Sequence, residues 1–270
     1  MLIEKDFDIR EILIKTTYQI VVCDENSFKS VPVAYGSGFF LNYKENLFFI
    51  TADHNIHYED HQNKKRLGTD NFLGIFNNIS NKQELNTIIT PIGGFYFMES
   101  IDLSKEDLDY ELIDVAISLV DRTKFEAPFL TDEDLKDDNQ NIIVSPNEQK
   151  FEFLEEHIIE PSEDDTYYVY GKIRPEIKGL FFLHRKAIFM SNLKYIQDIG
   201  NYLLLNTEDQ INDYEDWAGL SGSPVINQNG KCIGVLCSVI ENSKSLFVKP
   251  FSKILPLLDT ISIQEKLLKK

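Results

Sequence analysis

Three residues of this chain are of types that together carry out acyl transfer. Ser221 stands in Gly219-Leu220-Ser221-Gly222-Ser223-Pro224, a tight glycine turn that runs into strand-like residues and can hold a hydroxyl exposed. A serine hydroxyl is a weak nucleophile alone and needs a base together with a group that orients the base. His54 supplies the base. It closes the apolar run Leu47-Phe48-Phe49-Ile50 by way of Thr51-Ala52-Asp53. Asp114 supplies the orienting carboxylate, at the start of the apolar run Val115-Ala116-Ile117-Ser118-Leu119-Val120. A carboxylate beside so many aliphatic residues is expected to be partly buried, which is costly without a partner. An imidazole N–H is such a partner.

Each piece has a bland alternative. Gly219 to Pro224 is also what an ordinary turn between strands looks like, and a histidine taken alone is more often structural. His57, His61, His157 and His184 compete with His54 but do not follow a small-residue strand end, and Asp102 and Asp109 compete with Asp114 but do not open such an apolar strand. Gly36-Ser37-Gly38 reads as a bend or a place of close strand packing, with no catalytic role. Cys232 and Cys237 fall on opposite faces of a continuous strand and make no metal pair, so buried structural thiols are expected; no metal and no cofactor is implied.

The elements that must position these residues are strands. Residues 4–14 read as a short helix or arm, followed by strands over 16–23, 33–43, 47–51, 71–76, 86–89, 95–98 and 115–120. A second β series runs over 167–173, 179–190, 202–207, 224–227, 232–239 and 245–250. Residues 251–269 place Phe251, Ile254, Leu257 and Leu258 at helical spacing ahead of a lysine-rich end, which predicts a helix packed on the body. Three segments follow: 1–130 as an arm and a first β-barrel carrying His54 and Asp114, 131–165 as an acidic connection, and 166–270 as a second barrel carrying Ser221 plus the helix.

The order His54, Asp114, Ser221, with gaps of 60 and 107 residues, resembles the trypsin-like (chymotrypsin-fold) serine peptidases. The resemblance rests on Gly36-Ser37-Gly38-Phe39, Thr51-Ala52-Asp53-His54, Asp114-Val115-Ala116 and Gly219 to Pro224, with Asn229-Gly230-Lys231-Cys232-Ile233-Gly234-Val235 as the hairpin after the nucleophile. It spans roughly residues 16–256. It implies an all-β fold of two packed six-stranded Greek-key barrels with a C-terminal helix. It also implies peptide hydrolysis through an acyl-enzyme, with an oxyanion hole at the N–H groups of Gly219 and Ser221. The primary pocket is then placed by counting six residues back from the nucleophile, to Glu215, with Trp217 as a wall. A carboxylate there would favour Lys or Arg before the scissile bond.

Two departures from the family matter. Leu220 stands where secreted members carry the Asp that receives a newly cut N-terminus, so activation by that salt bridge is not expected, and in this respect the chain is closer to intracellular members of the high-temperature-requirement group. No residues are left for a peptide-binding domain such as PDZ, so a stand-alone peptidase domain is expected. Asp53 replaces the usual small residue before the histidine. Its side chain either points away or points inward and raises the histidine pKa.

Composition narrows the partners. At 270 residues with 43% hydrophobic side chains, the chain can bury a core. A formal charge of −17 argues against nucleic acid. Residues 131–165 hold 13 acidic and 2 basic residues, which reads as a solvated connection. The N-terminus carries acids where a secretory signal needs basic residues, no segment is apolar enough for a membrane span, and three cysteines make no disulfide framework. A cytoplasmic location is expected, with a polypeptide substrate, a regulatory protein partner and no membrane. Two readings stand: an active serine endopeptidase, such as a bacterial stress or defence effector, or a catalytically silent trypsin-fold module that binds peptide or protein.

Overall fold

The computed structural model describes residues 8–23, 32–81, 84–102, 109–125, 128–178 and 182–268. Helix α1 (Ile9–Thr16) begins at Asp8, whose carboxylate accepts the Arg10 N–H at 2.8 Å and caps the first turn. Strands β1 (Tyr18–Cys23), β2 (Ala34–Tyr43) and β3 (Asn46–Thr51) follow, then the short helix α2 (Tyr58–Asn63), which the strand pattern did not reveal. Strands β4 (Phe72–Asn81), β5 (Glu84–Ile92), β6 (Phe95–Asp102) and β7 (Asp109–Val120) complete the first unit. The stretch β8 (Leu135–Lys136), β9 (Ile142–Val144) and β10 (Phe153–Leu154) connects to the second unit. That unit comprises β11 (Tyr167–Lys178), β12 (Phe182–Ile199), β13 (Tyr202–Ile211), β14 (Pro224–Asn227), β15 (Cys232–Val239) and β16 (Ser243–Pro250), and α3 (Phe251–Leu268) closes the chain.

The architecture is mostly β, as expected. The second unit is a closed six-stranded barrel in the order β11-β12-β13-β16-β15-β14. The first is a curled half-barrel sheet in the order β5-β4-β1-β2-β3-β7-β6, antiparallel throughout, with β10 adding parallel to β2 through Phe153 and Leu154. The two ends of this sheet, β5 and β6, are joined by Gly93-Gly94 without pairing to each other.

The unbroken apolar runs in β2, β3 and β7 follow from the curl, which buries both faces of these strands. Side chains alternate along a strand. Phe39, Leu41, Phe48, Ile50, Val115 and Ile117 therefore face a core shared with Ile226, Cys232 and Val235 of the closed barrel and with Phe251, Ile254, Leu258 and Ile261 of α3. The alternate residues Phe40, Phe49 and Ala116 face the interior of the curled sheet with Tyr18, Ile20 and Phe129. A third core fills the closed barrel with Tyr167, Val169, Leu205, Trp217 and Leu220. At the seam between units, Phe39 meets Phe153 and Phe251 edge-on, at centroid distances of 5.7 and 6.2 Å.

The acidic connection is only partly solvated. Asp132 and Glu133 turn inward and close on the buried ammonium of Lys172 at 2.6 and 2.7 Å. Arg185, also buried, reaches Gln19 at 3.3 Å, and burial drives its pKa down to about 10. Lys150 donates to the carbonyls of Ile14 and Thr17 at the end of α1, at 2.5 and 2.6 Å. Burial pushes its pKa down to about 7. The connection thus supplies counter-charges to cations held between the units. Truncating Lys172 leaves two partly exposed carboxylates without their cation, so Lys172→Ala is expected to cost about 1–3 kcal/mol of stability, read as a fall in the urea midpoint.

Candidate functional site

Strand β3 ends at Thr51 because the chain turns at Ala52 into a 3-10 turn over Asp53–Asn55, and this turn presents His54. Asp114 is presented by a bulge. Phe97 pairs with Ala116 and Met98 with Ile113, so Asp114 and Val115 have no partner across the β6–β7 ladder. A bulge re-aims side chains, and here it brings Asp114 to the 3-10 turn. Asp114 Oδ1 accepts the His54 backbone N–H at 2.9 Å, and Oδ2 lies 2.8 Å from His54 Nδ1. An ionised carboxylate only accepts, so Nδ1 carries the proton and Nε2 is the free basic position.

Ser221 sits on the turn before β14. Its neighbours at Gly219 and Gly222 have φ of +108° and +90°, and a Cβ at either would press into a backbone carbonyl, that of Lys172 or of Ser37. The N–H groups of Ala218, Leu220, Gly222 and Ser223 donate to Tyr214, Trp217, Leu236 and Leu220. Those of Gly219 and Ser221 donate to no carbonyl or side chain among the described residues. The turn thus leaves free the two donors expected at an oxyanion hole.

Three residues that the sequence did not single out hold this turn. Ser37 Oγ donates to the Gly219 carbonyl at 2.8 Å, and the Ser37 N–H donates to the Ser221 carbonyl at 2.9 Å. Asn55 Nδ2 donates to that same carbonyl and to Thr51 Oγ1, each at 3.0 Å, while Thr51 Oγ1 donates to the Ser37 carbonyl at 2.7 Å. Gly36 is tied to this arrangement, since a Cβ there would overlap the Asn55 amide. The only signal in the sequence was the Gly36-Ser37-Gly38 triplet, which reads as packing until the barrel that packs against it is in view.

His54, Ser221 and Gly219 line one cavity of about 480 Å³, together with Tyr58, Tyr214 and Ala218. The Ser221 hydroxyl is directed to the Cys237 carbonyl at 3.3 Å and makes no hydrogen bond to His54. Hydrogen bonds between base and nucleophile are often long before substrate binds. Glu215 and Trp217, expected at the primary pocket, do not line this cavity. Asp213 caps a 3-10 turn over Tyr214–Asp216 by accepting the Glu215 N–H at 2.9 Å, which leaves Glu215 in solvent. Arg174 fastens the turn from outside through Asp216 at 2.6 Å, and Trp217 is packed into the closed-barrel core.

Asp53 points inward and is fully buried. It meets His57 Nδ1 at 2.6 Å, His61 Nε2 at 2.9 Å and Arg66 Nη1 at 2.5 Å, and His61 Nε2 also stands 3.8 Å from Asp114. Burial opposes ionisation of Asp53, but these hydrogen bonds and the Arg66 charge hold its pKa well below the usual carboxylate range. His157 is engaged elsewhere, at the Leu154 N–H, and the side chains of His184, Asp102 and Asp109 lie outside the described residues. Cys23, Cys232 and Cys237 form no disulfide among the described residues and are buried, Cys237 with its thiol on the Asp114 carbonyl at 3.2 Å. Among the described residues no group of three or more His, Cys, Asp or Glu side chains is placed to hold a metal ion, and no helix is long and apolar enough to cross a membrane.

No protein-family model matches the chain, and no curated protein matches it. Solved structures similar to it include a serine endoprotease from Yersinia pestis, 12% identical over 95% of this chain and 67% of that one, with a TM-score of 0.46. The MamO protease domain from Magnetospirillum magneticum is 11% identical over 91% of this chain and 96% of that one, at 0.43. A protease from M. tuberculosis is 13% identical over 93% and 82%, at 0.39.

Burial disfavours a charged His54, yet the charge and hydrogen bond of Asp114, with the charge of Asp53 behind it, carry its pKa above 6.5. A base must be neutral, so activity at this site is expected to rise with pH through a midpoint above 6.5. Asp53→Asn removes one of the charges favouring the imidazolium and should move that midpoint down, as read from kcat/KM against pH or from NMR titration of His54. Conversely, Asp114 and Asp53 have folded pKa values below 3.8 and so stabilise the fold above that pH, a contribution lost as pH falls through the folded values. Gly219→Ala strains a positive φ and displaces the unengaged Gly219 N–H, so, if that N–H serves an oxyanion, a fall in kcat of ~100-fold or more is expected while the chain stays folded by circular dichroism.

Proposed function

We propose that the chain is a serine endopeptidase that cleaves polypeptides through an acyl-enzyme. Ser221 Oγ attacks the scissile carbonyl, His54 Nε2 takes its proton, and the N–H groups of Gly219 and Ser221 receive the developing oxyanion. His54 then returns a proton to the leaving amine, and water repeats the sequence to release the acyl product. Asp114 holds the imidazole in the Nδ1–H tautomer and stabilises its charged form. The observation that carries this reading is the pairing of two free donors at Gly219 and Ser221 with a doubly hydrogen-bonded His54–Asp114 unit on the same cavity.

The second reading, a silent peptide-binding module, draws on one observation, the Ser221 hydroxyl turned to Cys237 rather than to His54. The wider role we assign is that of a cytoplasmic bacterial stress or defence effector held in check by a protein partner. It is supported by the three buried cysteines, which form no disulfide among the described residues and suit a reducing compartment, and by the need to restrain a peptidase among cellular proteins.

A fluorophosphonate probe separates the two readings. The wild-type chain should form a stoichiometric adduct at Ser221, located by mass spectrometry, with Ser221→Ala unlabelled. Ser221→Ala, His54→Ala and Asp114→Asn should each lower peptide hydrolysis by about four or more orders of magnitude, with double variants no worse than single ones. A folded wild-type chain that stays unlabelled would leave the silent module as the function.

A further inference from the structure

The cavity beside Ser221 has a chemistry and a side. Ser221 stands between two walls. On one lies β15, whose Cys237 carbonyl takes the Ser221 hydroxyl; on the other lie the residues that follow His54. The cavity belongs to the second wall, running from His54 over His57, Tyr58 and Glu59 and facing Tyr214 and Ala218. Because His54, which lines this cavity, delivers its proton to the departing amine, the part of the substrate that leaves begins beside the cavity. The cavity is therefore placed for the residue just after the scissile bond.

Its walls favour a cation. Tyr58 and Tyr214 stand at the mouth, 59% and 47% exposed, one from each unit. Burial, then the nearby Tyr58, Glu215 and Asp114, raise the Tyr214 pKa, so the two rings are within electrostatic reach of each other. Each tyrosine is followed by an exposed glutamate, Glu59 and Glu215, and neither carboxylate has an ion pair or hydrogen bond among the described residues. The other charges nearby are spoken for: Asp60 by Arg66 and the Leu67 N–H, Asp53 by His57, His61 and Arg66, and Asp213 and Asp216 by Arg174. Two tyrosines and the unpaired Glu59 carboxylate on a cavity of about 480 Å³ match a long cationic side chain, held by cation–π contact and charge.

The geometry points to a site for Lys or Arg immediately after the scissile bond, formed by Tyr58, Glu59 and Tyr214. The assignment rests on the peptidase reading, and two measurements keep the two apart. A peptide mixture digested by the wild-type chain is sequenced to give the residue at each new N-terminus. Lys and Arg should be enriched about tenfold over Leu, ~1.4 kcal/mol of selectivity. Glu59→Gln and Tyr58→Leu should each lower that enrichment at least ~3-fold, as should salt near 0.5 M, which screens exposed charge. In parallel, the Ser221→Ala chain is presented with arrayed peptides that differ only in carrying Lys, norleucine or Glu at one position. Tighter capture of the Lys peptides, lost in Ser221→Ala combined with Glu59→Gln, supports the site even where the wild-type chain cleaves nothing, an outcome that removes the peptidase reading alone. Cleavage with no preference at the new N-terminus, enrichment of basic residues only before the cleaved bond, or equal capture of all three peptides overturns it.

Discussion

The site depends on one contact, the clamp that the first unit places on the backbone of the nucleophile turn. Ser37 and Asn55 take the carbonyls of Gly219 and Ser221 from the side of the curled sheet. A peptide plane held by its carbonyl has its N–H fixed on the opposite edge. The N–H groups on those two planes are those of Leu220 and Gly222, which donate to Trp217 and Leu236, and with the positive φ at Gly219 and Gly222 this sets the course of the turn while the N–H groups of Gly219 and Ser221 stay unengaged. The turn is thus held by residues of the other unit as well as by its own hydrogen bonds, such as that of the Ser223 N–H to the Leu220 carbonyl, so the two units must dock before the site is complete.

That docking explains the distribution of charge inside the molecule. Lys172 is neutralised by Asp132 and Glu133 from the connection, and Lys150 by the carbonyl end of α1. Lys249 lies fully buried with its ammonium 3.4 Å from the Tyr202 ring centroid and without a hydrogen bond, and burial lowers its pKa to about 8. Buried ions add little net stability when paired but cost several kcal/mol when a partner is removed. They therefore penalise misdocked arrangements of the two units more than they strengthen the native one. The seam core around Phe39, Phe48, Val235 and Phe251 supplies the attraction that these charges make specific.

The same division governs the histidine. Asp114 orients His54 directly, whereas Asp53 acts from behind, bound to His57, His61 and Arg66. An aspartate in place of a small residue could have pointed to solvent. It points inward because α2 and the segment up to Arg66 bring three donors to it, enough to offset its desolvation. Asp53 thereby joins the histidine-bearing turn to α2, which forms one wall of the cavity.

Much of this was legible in the amino-acid order. The strands carrying His54, Asp114 and Ser221, and the helix seated by Phe251, Ile254 and Leu258, follow from local apolar patterning, which reports burial whatever the burial is against. The types and order of His54, Asp114 and Ser221 could likewise be read, since the chemistry each can support is intrinsic to its side chain. Other features could not. Counting six residues back from Ser221 leads to Glu215, yet in the turn that Asp213 caps it is Tyr214 that lines the cavity and Glu215 that is exposed, because a count along the chain carries no information on which side chain of a short turn points inward. Ser37, Thr51 and Asn55 acquire their roles only when a turn more than 160 residues away packs onto them, and the bulge at Asp114 exists only relative to the register of β6. Local sequence determined the elements and the chemical identities they carry. Tertiary structure decided which side chains meet, since hydrogen-bond partners and burial belong to pairs of segments that no single stretch of the chain contains.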